Sequence, residues 1–224
     1  YHSAVMPELP EVETIRRGLA VRLPGRKFTS IEVRLPKLVK PDPGLSADDI
    51  LHRTILRIRR RAKLLIVELE GGISLMFHLK LAGQLVHELP NGDRMNGGHP
   101  VPPWGAPLPH KCTHVIFSLD DGSTLYLTDI RQFGWVRILP TERVEQVLEA
   151  MDLGPEPLDD SFDRATLKRA LERRKGQIKP VLLDQHLLAG LGNIYVDESL
   201  WEARIHPARN ADSLTPQEIT RLHQ

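Results

Sequence analysis

The residues best suited to chemistry stand in four short runs. The first is Pro7-Glu8-Leu9-Pro10-Glu11-Val12-Glu13, prolines and acids at the start of an apolar periodicity. Read by itself, this is an ordinary helix entrance: a missing N–H costs nothing there, and the carboxylates face the positive end of the helix dipole. The second run is Arg57-Ile58-Arg59-Arg60-Arg61-Ala62-Lys63. In an extended chain residues 57, 59, 61 and 63 share one face at intervals of about 7 Å, close to the spacing of successive phosphates. The solvated edge of a sheet has the same pattern. The third pairs His78-Leu79-Lys80-Leu81-Ala82-Gly83 with Thr128-Asp129-Ile130-Arg131-Gln132-Phe133-Gly134-Trp135. Taken singly, Phe133 before a glycine is a turn-flanking core residue. The fourth runs from Ile178-Lys179-Pro180 to Gly190-Leu191-Gly192-Asn193-Ile194-Tyr195 and Glu198. Its glycines permit a tight turn whose amide N–H groups, with the dipole of the next helix, make an anion site. A Gly-X-Gly turn also serves as a plain helix connection.

The elements that must position these runs separate into two parts. Apolar Leu9, Val12, Ile15 and Leu19 recur at helical spacing until Pro24-Gly25 ends the pattern. Short strand-like runs follow over 28–35, 54–60, 64–69, 73–79, 114–119, 124–127 and 135–139, with Gly71-Gly72 and Asp120-Asp121-Gly122 as hairpin turns. Such a succession predicts a sandwich or barrel. Residues 90–109 are dense in Gly and Pro and are read as a long exposed loop without regular structure. After Pro140 the pattern turns helical over 142–151, 164–173, 178–186, 193–203 and from Pro216, where Thr215-Pro216-Gln217-Glu218 forms a capping box. That last helix stops at Gln224 after two turns, which reads as a chain cut short.

Composition excludes several classes. With 41% hydrophobic residues and mixed charge, the 224-residue chain is an ordinary globular sequence. It has no apolar run of the roughly 20 residues that cross a bilayer and no signal-peptide layout, which predicts a cytoplasmic, nucleoid-associated protein without a membrane partner. Cys112 is the only cysteine, so neither an internal disulfide nor a multi-cysteine zinc site can be built from these residues. A net charge of +1 leaves nucleic acid to be decided by local patches. His114 is left unassigned, because one histidine in a strand is usually structural.

Met6-Pro7-Glu8-Leu9-Pro10-Glu11-Val12-Glu13-Thr14 closely resembles the N-terminus of formamidopyrimidine-DNA glycosylases. The resemblance extends to Gln224. Arg60-Arg61-Ala62-Lys63 is similar to the family's catalytic-domain lysine motif, the third pair of runs to its intercalation loops, and the Lys179 to Asn193 segment to its helix-two-turn-helix. It implies an α+β fold: an N-terminal β-sandwich with flanking helices, then a helical helix-two-turn-helix domain, with the C-terminal zinc finger absent. The implied organisation is a non-native extension over 1–5, a catalytic domain over 6–140, a linker over 141–158 and a DNA-binding domain, cut short, over 159–224.

The implied activity is a base-excision repair glycosylase with AP lyase function. It acts as a monomer on double-stranded DNA carrying oxidised purines (8-oxoguanine, formamidopyrimidines) or abasic sites. Pro7, once its amine is free, is the nucleophile, Glu8 the proton shuttle, and Lys63 contacts the lesion-side phosphate or the damaged base. Leu81, where methionine is more usual, Arg131 and Phe133 fill the hole left by the everted base, with Arg131 facing the widowed cytosine. Lys179, Asn193 and the Gly192 amide grip phosphates. Glu11 and Glu13 are assigned to capping and packing. No cofactor is expected in this chain, whereas the family usually binds one zinc through a four-cysteine finger. As written, Met6 acylates Pro7, and an amide nitrogen has no lone pair to donate. A silent DNA-binding module is therefore the competing expectation. An RNA-binding protein sharing the helix-two-turn-helix is disfavoured by the Pro-Glu start and the Arg131/Phe133 pair.

Overall fold

The computed structural model describes residues 7–172 and 174–224. The readings of residues 1–5 and of the Met6–Pro7 amide fall outside the described residues, as does Arg173 at the end of one expected helix. The chain divides into two compact units within the helix α2 (Arg143–Glu149), between Val147 and Leu148.

The first unit opens with α1 (Leu9–Arg22), whose apolar stripe Leu9, Val12, Ile15 and Leu19 is buried. Its N-terminus is closed by a capping box in which the Glu8 N–H donates to Glu11 Oε2 at 2.9 Å. Ten strands follow: β1 (Phe28–Val33), β2 (Val39–Pro41), β3 (Ile55–Arg61), β4 (Leu64–Leu69), β5 (Ile73–His78), β6 (Gly83–Glu88), β7 (Arg94–Gly98), β8 (Thr113–Leu119), β9 (Thr124–Asp129) and β10 (Trp135–Pro140). They form two five-stranded sheets, ordered β1-β8-β9-β6-β7 and β2-β10-β5-β4-β3, antiparallel throughout except for the parallel β2–β10 pair. One apolar cluster joins both sheets to α1, with Phe28, Phe77 and Phe117 among its largest side chains. This is the expected β-sandwich with a flanking helix.

Strand register places the chemical runs at one end of the sandwich. Arg61 pairs with Leu64, Leu64 with His78, and His78 with Trp135. In the other sheet Gly83 pairs with Asp129, Gln84 with Gly98, and Thr113 with Thr128. The turns at 62–63, 79–82, 99–112 and 130–134 therefore leave from the same end, because 79–82 and 130–134 each cross from one sheet to the other. Helix α1 runs antiparallel to β7, with Gly18 against Met95 and Ile15 against Gly97, so its N-terminus points to that end as well.

Three strands differ from expectation. Residues 94–98 form β7 inside the segment read as structureless, and β2 and β6 carry no strand in the sequence reading. β7 is hard to read because it contains Gly97-Gly98, poor strand residues in isolation. The reason for glycine is tertiary: a Cβ on Gly97 would lie 2.2 Å from Ile15 Cγ1, and one on Gly98 would lie 2.4 Å from the Gly83 carbonyl oxygen.

The second unit holds α3 (Arg164–Leu171), α4 (Ile178–Leu183), α5 (Asn193–Glu202) and α6 (Pro216–His223) around its own apolar cluster, which includes Leu167, Leu182, Val196, Leu200 and Ile219. Asp163 caps α3 by accepting the Thr166 N–H, and Thr215 with Glu218 caps α6 as expected. Among the described residues no helix is long and apolar enough to cross a membrane.

Gly97→Ala should lower the unfolding free energy of the first unit by about 1–3 kcal/mol through overpacking. Ile15→Ala should restore part of that loss in the double variant, so a urea-denaturation double-mutant cycle should show non-additivity; additive losses would refute the contact.

Candidate functional site

Pro7 and Glu8 are buried at the entrance of α1, Glu8 at 1% exposure. What fixes them against the sheet is Glu13, one turn in. Its carboxylate accepts from Arg16 (2.9 and 2.8 Å), from Arg17 (2.8 Å) and from Arg60 Nε on β3 (3.0 Å). Those guanidinium groups, Arg16 first, outweigh burial and hold Glu13 at a pKa of about 2. Arg60 also donates to the Ala62 carbonyl at 2.9 Å, inside the two-residue turn that presents Lys63. Ala62 itself sits at φ +49°, a left-handed conformation that only a fixed turn sustains.

Lys63 is thus a turn residue and does not continue the face of β3. Burial pushes its pKa below the ordinary lysine value, Lys80 adds to that, and the charges of Glu8 and Glu11 oppose it. Glu8, Glu11, Lys63 and Lys80 consequently share one electrostatic neighbourhood. Two members of the phosphate-spaced row of cations are engaged by carboxylates. Arg57 and Arg59 both bond the buried Glu68 at 2.5 Å, and Arg59 reaches Glu145 at 2.8 Å. β3 is the edge strand of its sheet, and an edge lined with paired charges is protected against further strand pairing.

The two intercalation-type loops are built on backbone geometry. Lys80 sits at φ +54°, and its N–H donates to His78 Nδ1 at 3.0 Å, which fixes the ring tautomer with Nδ1 unprotonated. Burial first, then the Lys80 and Lys63 charges, hold the His78 pKa at about 3. Leu81 is half-buried beyond that turn. The second loop is organised by Asp129, which is fully buried: Oδ1 accepts the Arg131 N–H at 2.9 Å, and Oδ2 accepts those of Phe133 at 2.9 Å and Gly134 at 2.7 Å. Gln132 at φ +57° turns the chain outward. Phe133 is therefore 54% exposed, which removes the alternative of a turn-flanking core residue, and the Arg131 guanidinium lies 5.2 Å over its ring. The resemblance assigns Asp129 no role beyond its place in the motif. An aspartate before a short polar loop is an Asx-turn signal that could have found it. His114, left unassigned from the sequence, is buried with Nε2 2.8 Å from the Asp129 carbonyl oxygen.

In the second unit, Gly192 is the N-cap of α5 and Asn193 its first residue. Lys179 lies across from them on α4, with Nζ 2.8 Å from Asp197, one turn beyond Asn193 on the same face of α5. Lys179 is thus tied to the first turns of α5, the helix that Gly192 and Asn193 open, with the lysine charge shared with a carboxylate. The turn between the helices depends on Gln185, to which sequence reasoning gave no role. It donates to the Leu183 and Leu191 carbonyls at 3.0 and 2.8 Å and accepts the Gly190 N–H at 2.9 Å. A four-cysteine zinc site does not fit these residues: Cys112 is buried at the entrance of β8, and the described residues hold no group of three or more His, Cys, Asp or Glu placed to bind a metal.

Two outcomes test this geometry. Glu13→Gln removes the shared partner of a half-buried ion cluster, in which Arg17 is exposed and Arg60 enclosed, and should cost about 1–2 kcal/mol of stability, measured by chemical denaturation. His78 is neutral in the fold and titrates near 6.5 when unfolded. Its contribution is therefore complete above pH 6.5 and is lost as pH falls toward 3, at up to about 1.4 kcal/mol per unit. The fall in stability between about pH 6 and 5 should be steeper in the wild type than in His78→Gln; identical slopes would refute it.

Two family models match the chain, the formamidopyrimidine-DNA glycosylase N-terminal domain over residues 6–136 and the formamidopyrimidine-DNA glycosylase H2TH domain over residues 153–224. A formamidopyrimidine-DNA glycosylase of Pelotomaculum thermopropionicum is 44% identical over 220 residues, covering 98% of this chain and 74% of the relative. That of Heliobacterium modesticaldum is also 44% identical, covering 97% and 75%. Among solved structures, wild-type Lactococcus lactis Fpg in complex with DNA containing N7-benzyl-Fapy-dG matches with a TM-score of 0.82 at 35% identity, over 97% of this chain and 75% of that one. The same organism's Fpg in complex with abasic-site DNA matches at 0.79 and 34%, over 96% and 74%. With both units matched, in order, by the family's two domains, this chain belongs to the formamidopyrimidine-DNA glycosylase family of DNA-repair enzymes.

Proposed function

We propose that this chain removes oxidised purines, 8-oxoguanine and formamidopyrimidines, from double-stranded DNA and then cleaves the strand at the resulting abasic site. The observation that carries the reading is the placement of Pro7 and Glu8, buried at the head of α1, at the end of the sandwich where the turn after β3 presents Lys63. With its amine free, Pro7 attacks C1′ of the damaged nucleotide and the base departs. A secondary amine yields a positively charged iminium ion, which acidifies the adjacent sugar C2′–H. Loss of that proton expels the 3′-phosphate by β-elimination, and δ-elimination expels the 5′-phosphate. Glu8 protonates the opening sugar oxygen and later accepts protons. Lys63 offers a cation to the lesion-side phosphate or the base.

Leu81, Arg131 and Phe133 serve as the wedge. Support comes from their common origin at one end of the sandwich and from the exposure of Phe133 and Arg131. An everted base leaves stacking and pairing to be replaced, and an aromatic ring with a guanidinium over it supplies both a stacking surface and hydrogen-bond donors. Lys179, Asn193 and the Gly192 amide are proposed to hold phosphates.

A second reading is favoured by Met6, which precedes Pro7 in the sequence. While that amide stands, Pro7 has no nucleophilic lone pair, and the chain is a silent DNA-binding module. Borohydride separates the two. A form beginning at Pro7 should be captured covalently on 8-oxoguanine duplex when the iminium is reduced, and the form that retains Met6 should not. Equal capture of both would sink the assignment of Pro7 as nucleophile.

A further inference from the structure

The loop over residues 99–112 leaves the sandwich at the same end as the two proposed wedge loops. Its base is fixed from inside: Gln84, 1% exposed, donates to the carbonyls of His99 at 2.9 Å and Pro102 at 3.1 Å. Arg94 donates to the Ala106 carbonyl at 2.7 Å. Between these anchors Pro103-Trp104-Gly105-Ala106 closes a turn, with the Ala106 N–H donating to the Pro103 carbonyl at 2.9 Å and Gly105 at φ +92°. Glycine at the third position with positive φ is the requirement of a type II turn. A Cβ built on Gly105 would meet nothing within 4 Å, so the tip stands clear of the rest of the protein. Trp104 is 57% exposed there, with Val101 38% exposed beside it in the sequence.

A large rigid aromatic held out on a tethered turn is costly to leave in water and suits recognition. The charge around it selects the partner. From Arg94 to Leu119 the sequence contains no acidic residue, while Lys111 stands exposed at the end of the loop. The neighbouring loops 79–82 and 130–134 contribute Lys80 and Arg131 and likewise lack carboxylates. Three loops at one end of the sandwich thus present cations and apolar side chains together, the pairing that suits a polyanion with exposed sugar and base faces.

We infer that the 99–112 loop is a third DNA-contacting arm, in which Trp104 packs on the duplex beside the lesion and takes no part in filling the lesion itself. This rests on the DNA-binding reading above and extends its footprint. Because the contact lies on the flank, it adds affinity without lesion selectivity.

The test is binding of the full chain, by fluorescence anisotropy, to a duplex carrying a tetrahydrofuran abasic-site analogue and to an undamaged duplex of the same sequence. Trp104→Ala should weaken both by about fivefold with their ratio unchanged, while Trp104→Phe stays within about twofold of wild type. An unaltered melting temperature for both variants confirms that only the surface has changed. Wild-type affinity of Trp104→Ala for both duplexes would overturn the inference, as would a loss confined to the abasic duplex. So would unchanged DNA binding accompanied by a shift from dimer to monomer, which would assign Trp104 to a second copy. If wild-type protein binds neither duplex, the DNA-binding reading itself falls; if it binds and Trp104→Ala matches it, only the third arm does.

Discussion

Glu13 carries the arrangement of the first unit. A single carboxylate on the second turn of α1 gathers guanidinium groups from its own helix and from β3, and the β3 partner continues to the carbonyl of the Lys63 turn. The helix entrance and the strand hairpin are thereby fixed to one another by hydrogen bonds, while the apolar stripe of α1 supplies the adhesion. Apolar burial is non-directional and tolerates sliding. Charged hydrogen bonds of defined geometry do not. The relation of Glu8 to Lys63 therefore depends on a carboxylate outside the set proposed to react.

The same division between rigid frame and presented group recurs at the other loops. Asp129 is wholly enclosed and spends its carboxylate oxygens on three backbone N–H groups, so that Arg131 and Phe133 stand outward. Gln84 does the equivalent for the 99–112 loop with its side-chain amide. In each case a buried polar side chain that would be expensive unsatisfied is satisfied by loop backbone, which locks the loop while leaving its side chains available. The close approach of α1 to β7 through Gly97 brings the helix entrance into line with these loops.

Charge is apportioned just as unevenly. A net charge of +1 conceals a protein in which many arginines are spent internally: Arg57 and Arg59 on Glu68, Arg137 and Arg143 on Asp42, Arg209 on Glu218. The loops at the proposed DNA-facing end are free of carboxylates apart from the enclosed Asp129. Basic patches of this kind matter to a polyanion more than the total does. In the second unit Lys179 is shared with Asp197, so a phosphate there would compete with a carboxylate already in place.

The sequence by itself determined the family, the α+β class and most elements, because those features are local. Apolar periodicity marked α1, hairpin turns bounded β4, β5, β8 and β9, and the capping box at Thr215 opened α6. Contiguous motifs likewise named Pro7, Glu8, Lys63, Leu81, Arg131, Phe133, Lys179, Gly192 and Asn193 as candidates. Only the tertiary structure decided what lay between distant segments. β7 was illegible because Gly97 answers to Ile15, about eighty residues away in the chain, and Gly98 to the Gly83 carbonyl, not to strand propensity. The alternating cations of β3 looked ready for phosphates until Glu68 and Glu145 were seen to occupy them. Phe133 and Trp104 are exposed because buried Asp129 and Gln84 hold their loops. Pairings of this kind are set by register and packing across the fold, and no spacing along the chain records them.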